Sequence, residues 1–370
     1  VTLGAPSRYG VRPSAAGNGT RFLVAWLLGT YNGTASMKVH AARVGTAGPP
    51  VDATPIELAA SGTTDSGLDF FDATPLPVWA GAEWHVSWSR NVSTGRSLDG
   101  IRLGDDGVKR GTVTQLMDDY GEYVAVSASG TGVLWAAVVW SDDNATGPII
   151  QARRFSGTMQ PLDATPLDVG QAAPMQWARA AASNGSVMLS VWLERRSGWG
   201  WDVRAGRVDA SGAPLDGQGL QVHGSPFPGN QLGYNVSAAW DGQDFVVAWD
   251  EHRPSNAASR VYFTRVTASG GVRDPGGIPV ATFAHEPVVA SLGGGASAIC
   301  WRDASSPYAG SCARVSNGAV IDATPIVFAG QVSALALAAV NGAYLIAWYV
   351  VPSGGGTSGT LVARTLSASG

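Results

Sequence analysis

An all-β chain is predicted, a seven-bladed β-propeller of four-stranded antiparallel blades, and three observations carry that prediction. A unit of about 53 residues recurs along all 370 residues, so residues 1–370 read as a single domain. Each unit holds a short apolar run ending in tryptophan, at Trp26, Trp88, Trp140, Trp192, Trp249, Trp301 and Trp348. No 3.6-residue apolar periodicity persists for three turns anywhere, which argues against amphipathic helices.

The first element of each unit is the tryptophan strand itself, as in Phe22–Trp26, Met188–Trp192 and Phe245–Trp249. The tryptophans are spaced by 62, 52, 52, 57, 52 and 47 residues. A second strand follows and carries arginine: Arg43, Arg102, Arg153 and Arg154, Arg207, Arg265, Arg314 and Arg364. A third element reads Asp-Ala-Thr-Pro, at Asp52–Pro55, Asp163–Pro166 and Asp322–Pro325, with looser forms after Leu215 and Arg273. Another copy, Asp72–Pro75, is out of phase, and the 62-residue interval reads as a blade with an insertion near Ser61–Phe71. Asn18-Gly19, Asn184-Gly185, Asp241-Gly242 and Asn341-Gly342 precede the tryptophan strands, and such pairs suit tight hairpins. They place one more strand upstream, such as Val236–Trp240, giving about four strands per unit.

A sheet of this size cannot bury both faces alone, but it can stack on copies of itself around an axis. The repeat indoles are then expected between neighbouring blades. Pro55, Pro166 and Pro325 fall near the outermost strand, where a proline blocks further pairing. The last unit stops at Ser367–Gly370, and the N-terminal segment Val1–Ser7 is expected to pair with the last blade and close the ring.

Tryptophan followed by charged residues, and then Ala-Arg-Val before a glycine turn, resembles the Trp-Asp-Arg/Ala-Arg-Val propeller repeats of secreted bacterial proteins. Ala42-Arg43-Val44 and Ala313-Arg314-Val315 carry it most plainly. The resemblance spans the whole chain and implies the architecture; propellers host binding proteins, scaffolds and enzymes alike. Arg90 and Val350 depart from it, standing where an acid is expected two residues after the tryptophan.

Charged residues make up 14% of the chain, the net charge is −4, and no Lys/Arg run occurs, so neither nucleic acid nor an anionic membrane is an expected partner. No apolar stretch approaches the roughly 20 residues of a membrane helix, so no membrane insertion is expected. Only Lys38 and Lys109 are lysines among 24 basic residues, an imbalance common in GC-rich bacterial genomes.

Cys300 and Cys312, twelve apart on consecutive strands, are expected to form a disulfide, two buried thiols being the alternative; a disulfide suits an extracellular or cell-surface location. Asp142, Glu194, Glu251 and Asp303 stand two after the repeat tryptophan. Such a ring of carboxylates is compatible with Ca²⁺ or with acid–base work, but the simpler reading is a salt bridge to the arginine of the next strand. No cofactor is indicated, no metal-ligand spacing occurs, and no nucleophile motif is present. Of His40, His85, His223, His252 and His285, the last precedes Glu286 at the start of an inner strand and can face a central channel; a structural histidine is the simpler reading.

Trp199 and Trp201, in the turn Ser197–Trp201, form the candidate ligand site, with Arg195, Arg196, Asp202, Trp177 and Trp240. Such aromatics suit stacking on a sugar, a protein hot spot, or cover for a blade flank. Asn18, Asn32, Asn91, Asn144, Asn184 and Asn235 lie in Asn-x-Ser/Thr and are candidate glycosylation sites, with turn chemistry the simpler reading.

The expected function is a secreted or cell-surface, non-catalytic binding or scaffold module recognising a glycan or a protein surface. The alternatives are a self-associating structural subunit of an extracellular assembly, and a glycan-acting hydrolase or lyase with acids at the channel mouth.

Overall fold

In a computed structural model the described residues are 1–4, 12–31, 35–47, 49–60, 74–92, 95–120, 124–128, 133–140, 148–171, 173, 176–195, 200–224, 231–252, 259–305, 308–350 and 359–369. They form an all-β propeller. The first blade is β1 (Ser14–Gly17), β2 (Arg21–Tyr31), β3 (Ala35–Gly45) and β4 (Ile56–Ala60). The second is β5 (Leu76–Trp79), β6 (Glu83–Val92), β7 (Gly95–Gly104) and β8 (Lys109–Tyr120). The third is β9 (Val124–Ala128), β10 (Leu134–Trp140), β11 (Ile149–Phe155) and β12 (Leu167–Asp168). The fourth is β13 (Gln176–Ser183), β14 (Val187–Arg195), β15 (Trp201–Asp209) and β16 (Leu220–Gly224). The fifth is β17 (Gln231–Trp240), β18 (Asp244–His252), β19 (Arg260–Thr267) and β20 (Ile278–Thr282). The sixth is β21 (Ala284–Gly293), β22 (Ala296–Asp303), β23 (Gly310–Ser316) and β24 (Ala319–Val320), with β25 (Ile326–Ala329) also pairing with β23.

All six are antiparallel and follow chain order from inside to outside. Six blades are therefore present, not the seven expected: five have four strands, and in the sixth both β24 and β25 pair with β23. The remaining sheet, β26 (Val332–Val340), β27 (Ala343–Val350) and β28 (Thr360–Ser367), has three strands, because no fourth strand follows β28 among the described residues. Beside β28, Leu3 N–H donates to Leu361 O at 2.9 Å, Ala363 N–H donates to Val1 O at 2.8 Å, and Thr2 bridges Val362. The insertion expected near Ser61–Phe71 lies outside the described residues.

Burial follows position in the blade. Inner strand β13 alternates between buried and half-buried residues, as a strand with one face on a channel must. Strand β14, one place outward, is buried on both faces because neighbouring sheets cover it on each side. Each apolar cluster joins two adjacent sheets, and the repeat indoles sit in these seams. Trp26 packs with the three-stranded sheet, Trp88 with the first blade and Trp192 with the third. Trp249, Trp301 and Trp348 likewise pack with the sheet before their own. All six are buried, Trp192 and Trp249 completely; the side chain of Trp140 lies outside the described residues. Removing an indole from water contributes up to about 4–6 kcal/mol at 25 cal/mol/Å2.

The repeat arginine makes a second bond between sheets. Arg43, Arg154, Arg207, Arg265 and Arg314 each pair with the aspartate eight or nine residues on, Asp52, Asp163, Asp216, Asp274 and Asp322. Each also donates to a backbone carbonyl of the following sheet: Asp105, Ala210, Ala268, Asn317 and Ala368. The acid two after the tryptophan does not pair with this arginine, whose partner is the aspartate of the Asp-Ala-Thr-Pro element; Glu194 pairs instead with Arg204 of the next strand, at 3.8 Å, as the salt-bridge reading expects. The prolines of that element, Pro55, Pro166 and Pro325, stand directly before outer strands β4, β12 and β25.

Candidate functional site

Four inner strands break register near the same end. The breaks fall between Ala178 and Ala180, Leu232 and Val236, His285 and Val288, and Val332 and Ala334. A bulge turns an extra side chain out of the ladder, and bulges gather beside functional sites. Here the extra residues include Arg179, Asn235, Glu286 and Ser333, and all four line one cavity of about 310 Å3. Arg12, Thr74, Ser89 and Ser237 add to its polar lining. A second void, about 470 Å3, shares Arg179, Ser237 and Leu335 and continues between inner strands past Ala180, Ala182, Ala238 and Ala336. Small side chains leave this central space open. Ser237 Oγ accepts the Val289 N–H at 3.0 Å and ties β17 to β21.

Glu286 is the only acidic side chain lining the cavity among the described residues. Its backbone adopts φ +54°, and its N–H donates to Asp250 Oδ2 at 3.1 Å. Asp250 is completely buried on β18, beside Trp249. Pro287 follows and has no N–H to leave unpaired in the bulge. Arg302 Nη2 donates to Glu286 Oε1 at 2.8 Å. Burial holds the Glu286 carboxyl above the ordinary range; Arg302 pulls it down, Asp250 pushes it up, and Arg12 pulls it down again. Burial prevails, so this carboxyl keeps its proton at higher pH than a free glutamate, the condition a general acid needs.

The residues of the expected aromatic site lie elsewhere. Trp201 is buried and stacks on Trp177 with centroids 4.3 Å apart, in the seam between the fourth and fifth blades. Arg195 is opposite Trp201 in register, Asp202 is buried beside it, and the Arg179 guanidinium lies 5.2 Å from the Trp177 ring centroid. Trp240 packs on Phe245 at 4.8 Å. Arg196 and Trp199 lie outside the described residues.

Of the repeated acids, Glu194 accepts the Gln176 amide at 2.9 Å and the Trp192 indole N–H at 3.3 Å. Asp303 accepts the Trp301 indole N–H at 3.1 Å, and Glu251 is buried. Asp142 is outside the described residues. At Arg90 the charge order is reversed, and its guanidinium pairs with buried Asp99 at 2.6 Å. His85 Nε2–H donates to Gly157 O at 3.1 Å; His40 stacks on Trp26 and His223 on Trp249. His285 is half-buried at the start of β21, and the side chain of His252 is outside the described residues. Cys300 and Cys312 form the expected disulfide, directly opposite each other on β22 and β23.

Asn18 and Asn184 use their side-chain oxygens to accept backbone N–H groups in their turns. Asn235 lines the cavity. Asn32, Asn144 and the side chain of Asn91 are outside the described residues. No group of three or more His, Cys, Asp and Glu is placed to hold a metal ion among the described residues.

In the sequence Glu286 stands out only as the neighbour of His285, and nothing there marks Arg12, Arg179 or Ser333. The usable signal was Glu286-Pro287 opening an inner strand, where proline forbids regular pairing.

No protein-family profile and no curated protein matches the sequence. Solved structures share the fold. One is a protein of unknown function from Dyadobacter fermentans, at 10% identity and TM-score 0.54, covering 81% of this chain and 96% of that one. A second is an alpha-L-arabinanase from Penicillium chrysogenum complexed with arabinobiose, at 10% identity and TM-score 0.54, covering 79% and 93%. A third is an alpha-L-arabinofuranosidase from Fusarium graminearum, at 11% identity and TM-score 0.51, covering 78% and 90%. At such identities the likeness shows the fold alone. The expected non-catalytic binding or scaffold module is corrected on this comparison, in which the two neighbours of named activity are glycan-acting hydrolases, as in the alternative reading.

Proposed function

We propose that this protein is a glycan-acting hydrolase with its site at the channel mouth and Glu286 as general acid. The observation that supports this best is Glu286 itself, turned into the cavity by a bulge, with a proton affinity raised by burial and opposed by Arg302. In the reaction the Glu286 carboxyl gives its proton to the glycosidic oxygen as the bond from that oxygen to the anomeric carbon breaks. Water adds its oxygen to that carbon and releases a proton, and the carboxylate regains one. Asp250 acts through Glu286, holding its backbone and raising its proton affinity. Arg302 fixes the carboxyl's direction, and Arg12 and Arg179 face the substrate's oxygens. The arabinan-directed neighbours make linear arabinan the first polymer to test.

The disulfide supports an extracellular location. The hydrogen bonds from Val1 and Leu3 to β28 support a further reading, that the N-terminal segment completes the three-stranded sheet and closes the ring.

The test is release of reducing ends from linear arabinan, compared between the native chain and Glu286→Gln. Loss of at least about 100-fold in kcat supports the assignment; full activity in the variant removes it.

A further inference from the structure

The non-glycine residues with left-handed backbone are seven among the described residues, and four of them, Phe283, Glu286, Tyr308 and Gln331, lie on segments that hydrogen bonds join beside the start of β21. Each such conformation costs about 1–3 kcal/mol and persists where surroundings enforce it, often at functional sites. Three backbone hydrogen bonds hold the segments of Phe283 and Tyr308. Ala304 N–H donates to Phe283 O at 2.6 Å, Tyr308 N–H to Ser305 O at 2.7 Å, and Val332 N–H to Tyr308 O at 2.9 Å.

Phe283 and Tyr308 are also the only exposed aromatics among the described side chains, at 58% and 48%. Every other tryptophan, tyrosine and phenylalanine whose side chain is described is at least half-buried. The Arg302 guanidinium lies 5.8 Å from the Tyr308 ring centroid while holding Glu286 Oε1 at 2.8 Å. One guanidinium thus links the exposed ring to the acid, and Phe283 precedes that acid by three residues.

We propose that Tyr308 and Phe283 form a sugar-stacking subsite beside the mouth, taking the apolar face of a ring in the same glycan chain whose bond lies at Glu286. Aromatic planes bind sugars by covering their C–H faces, and the backbones that carry both rings are tied by these hydrogen bonds. The subsite rests on the hydrolase reading for its role in turnover, but not for binding.

The experiment uses the full chain carrying Glu286→Gln, so that binding is read without turnover, with linear arabino-oligosaccharides and arabinobiose as probes in titration calorimetry. Adding Tyr308→Ala or Phe283→Ala is expected to raise Kd for the long oligosaccharides about tenfold and leave that for arabinobiose nearly unchanged, and Tyr308→Trp is expected to restore tight binding. Long-chain Kd values unmoved by both alanine variants, or no binding of arabino-oligosaccharide at all, overturn the subsite. If the native chain cleaves no arabinan yet binds it in a Tyr308-dependent way, the subsite stands and the hydrolase reading falls.

Discussion

The guanidinium of Arg207 grips both oxygens of Asp216, with Nη2 at 2.6 Å from Oδ1 and Nε at 2.9 Å from Oδ2, and donates from Nη1 to the Ala268 carbonyl of the next blade at 2.6 Å. One side chain therefore closes a turn within its blade and clasps the blade beside it. Both partners are nearly buried, with side chains 10% and 4% exposed. Removing either leaves a charge without its match in a poorly hydrated place. Arg207→Ala or Asp216→Asn is expected to lower unfolding free energy by about 3 kcal/mol in urea denaturation. Arg102→Ala is the control: its bond to Glu83, 3.2 Å, is partly solvated, and under about 1 kcal/mol should be lost.

Gly270 tests the same contact from the other side. It has φ +93°, and a Cβ there stands 2.8 Å from the Arg207 guanidinium. Gly270→Ala should cost about 1–3 kcal/mol, measured by the same denaturation. In an Arg207→Ala background the cost should shrink to the backbone strain alone, so the two substitutions should not add.

Trp249 is completely buried against the fourth blade. Trp249→Ala should destabilise by about 3–5 kcal/mol, read as a lower denaturation midpoint. A loss near zero would mean that the indoles do not hold the seams.

His85 is buried, and that burial drives its pKa down to about 4, against a small upward pull from the Gly157 carbonyl. The unfolded chain binds a proton near pH 6.5, while the native state does not until about pH 4. Stability from this group is therefore complete above pH 6.5 and falls as pH drops towards 4, by up to about 3 kcal/mol. His85→Gln should flatten that part of a stability-against-pH curve.

The Cys300–Cys312 bond closes a short loop inside the sixth blade, and a loop of that length contributes about 3 kcal/mol on the chain-entropy account. Chain refolded with and without reductant should differ by that amount in denaturant titration.

Much of the architecture was legible because it repeats. Trp26, Trp88, Trp192, Trp249, Trp301 and Trp348 recur at blade spacing, and an indole that large in every unit has to be buried. The strand count of the last sheet was not legible, because pairing depends on which segments meet in space. The repeat arginine's partner was legible only in part: Glu194 does pair with an arginine of the next strand, but that is Arg204, and the repeat arginine goes to the aspartate eight or nine residues on. The site was least legible. Trp177 and Trp201 look available in sequence but stack into a seam, whereas Glu286 owes its role to a bulge and to Asp250, 36 residues upstream, and nothing in a linear pattern joins these two.

The pH–rate profile of arabinan hydrolysis tests the central assignment most directly. A general acid with the raised proton affinity of Glu286 predicts that kcat falls on the alkaline side with an apparent pKa above that of a free glutamate, about 4.3. Glu286→Gln should remove that limb together with most of the rate. A variant that keeps both the rate and the limb, or a native chain that releases no reducing ends from arabinan at any pH, would contradict it.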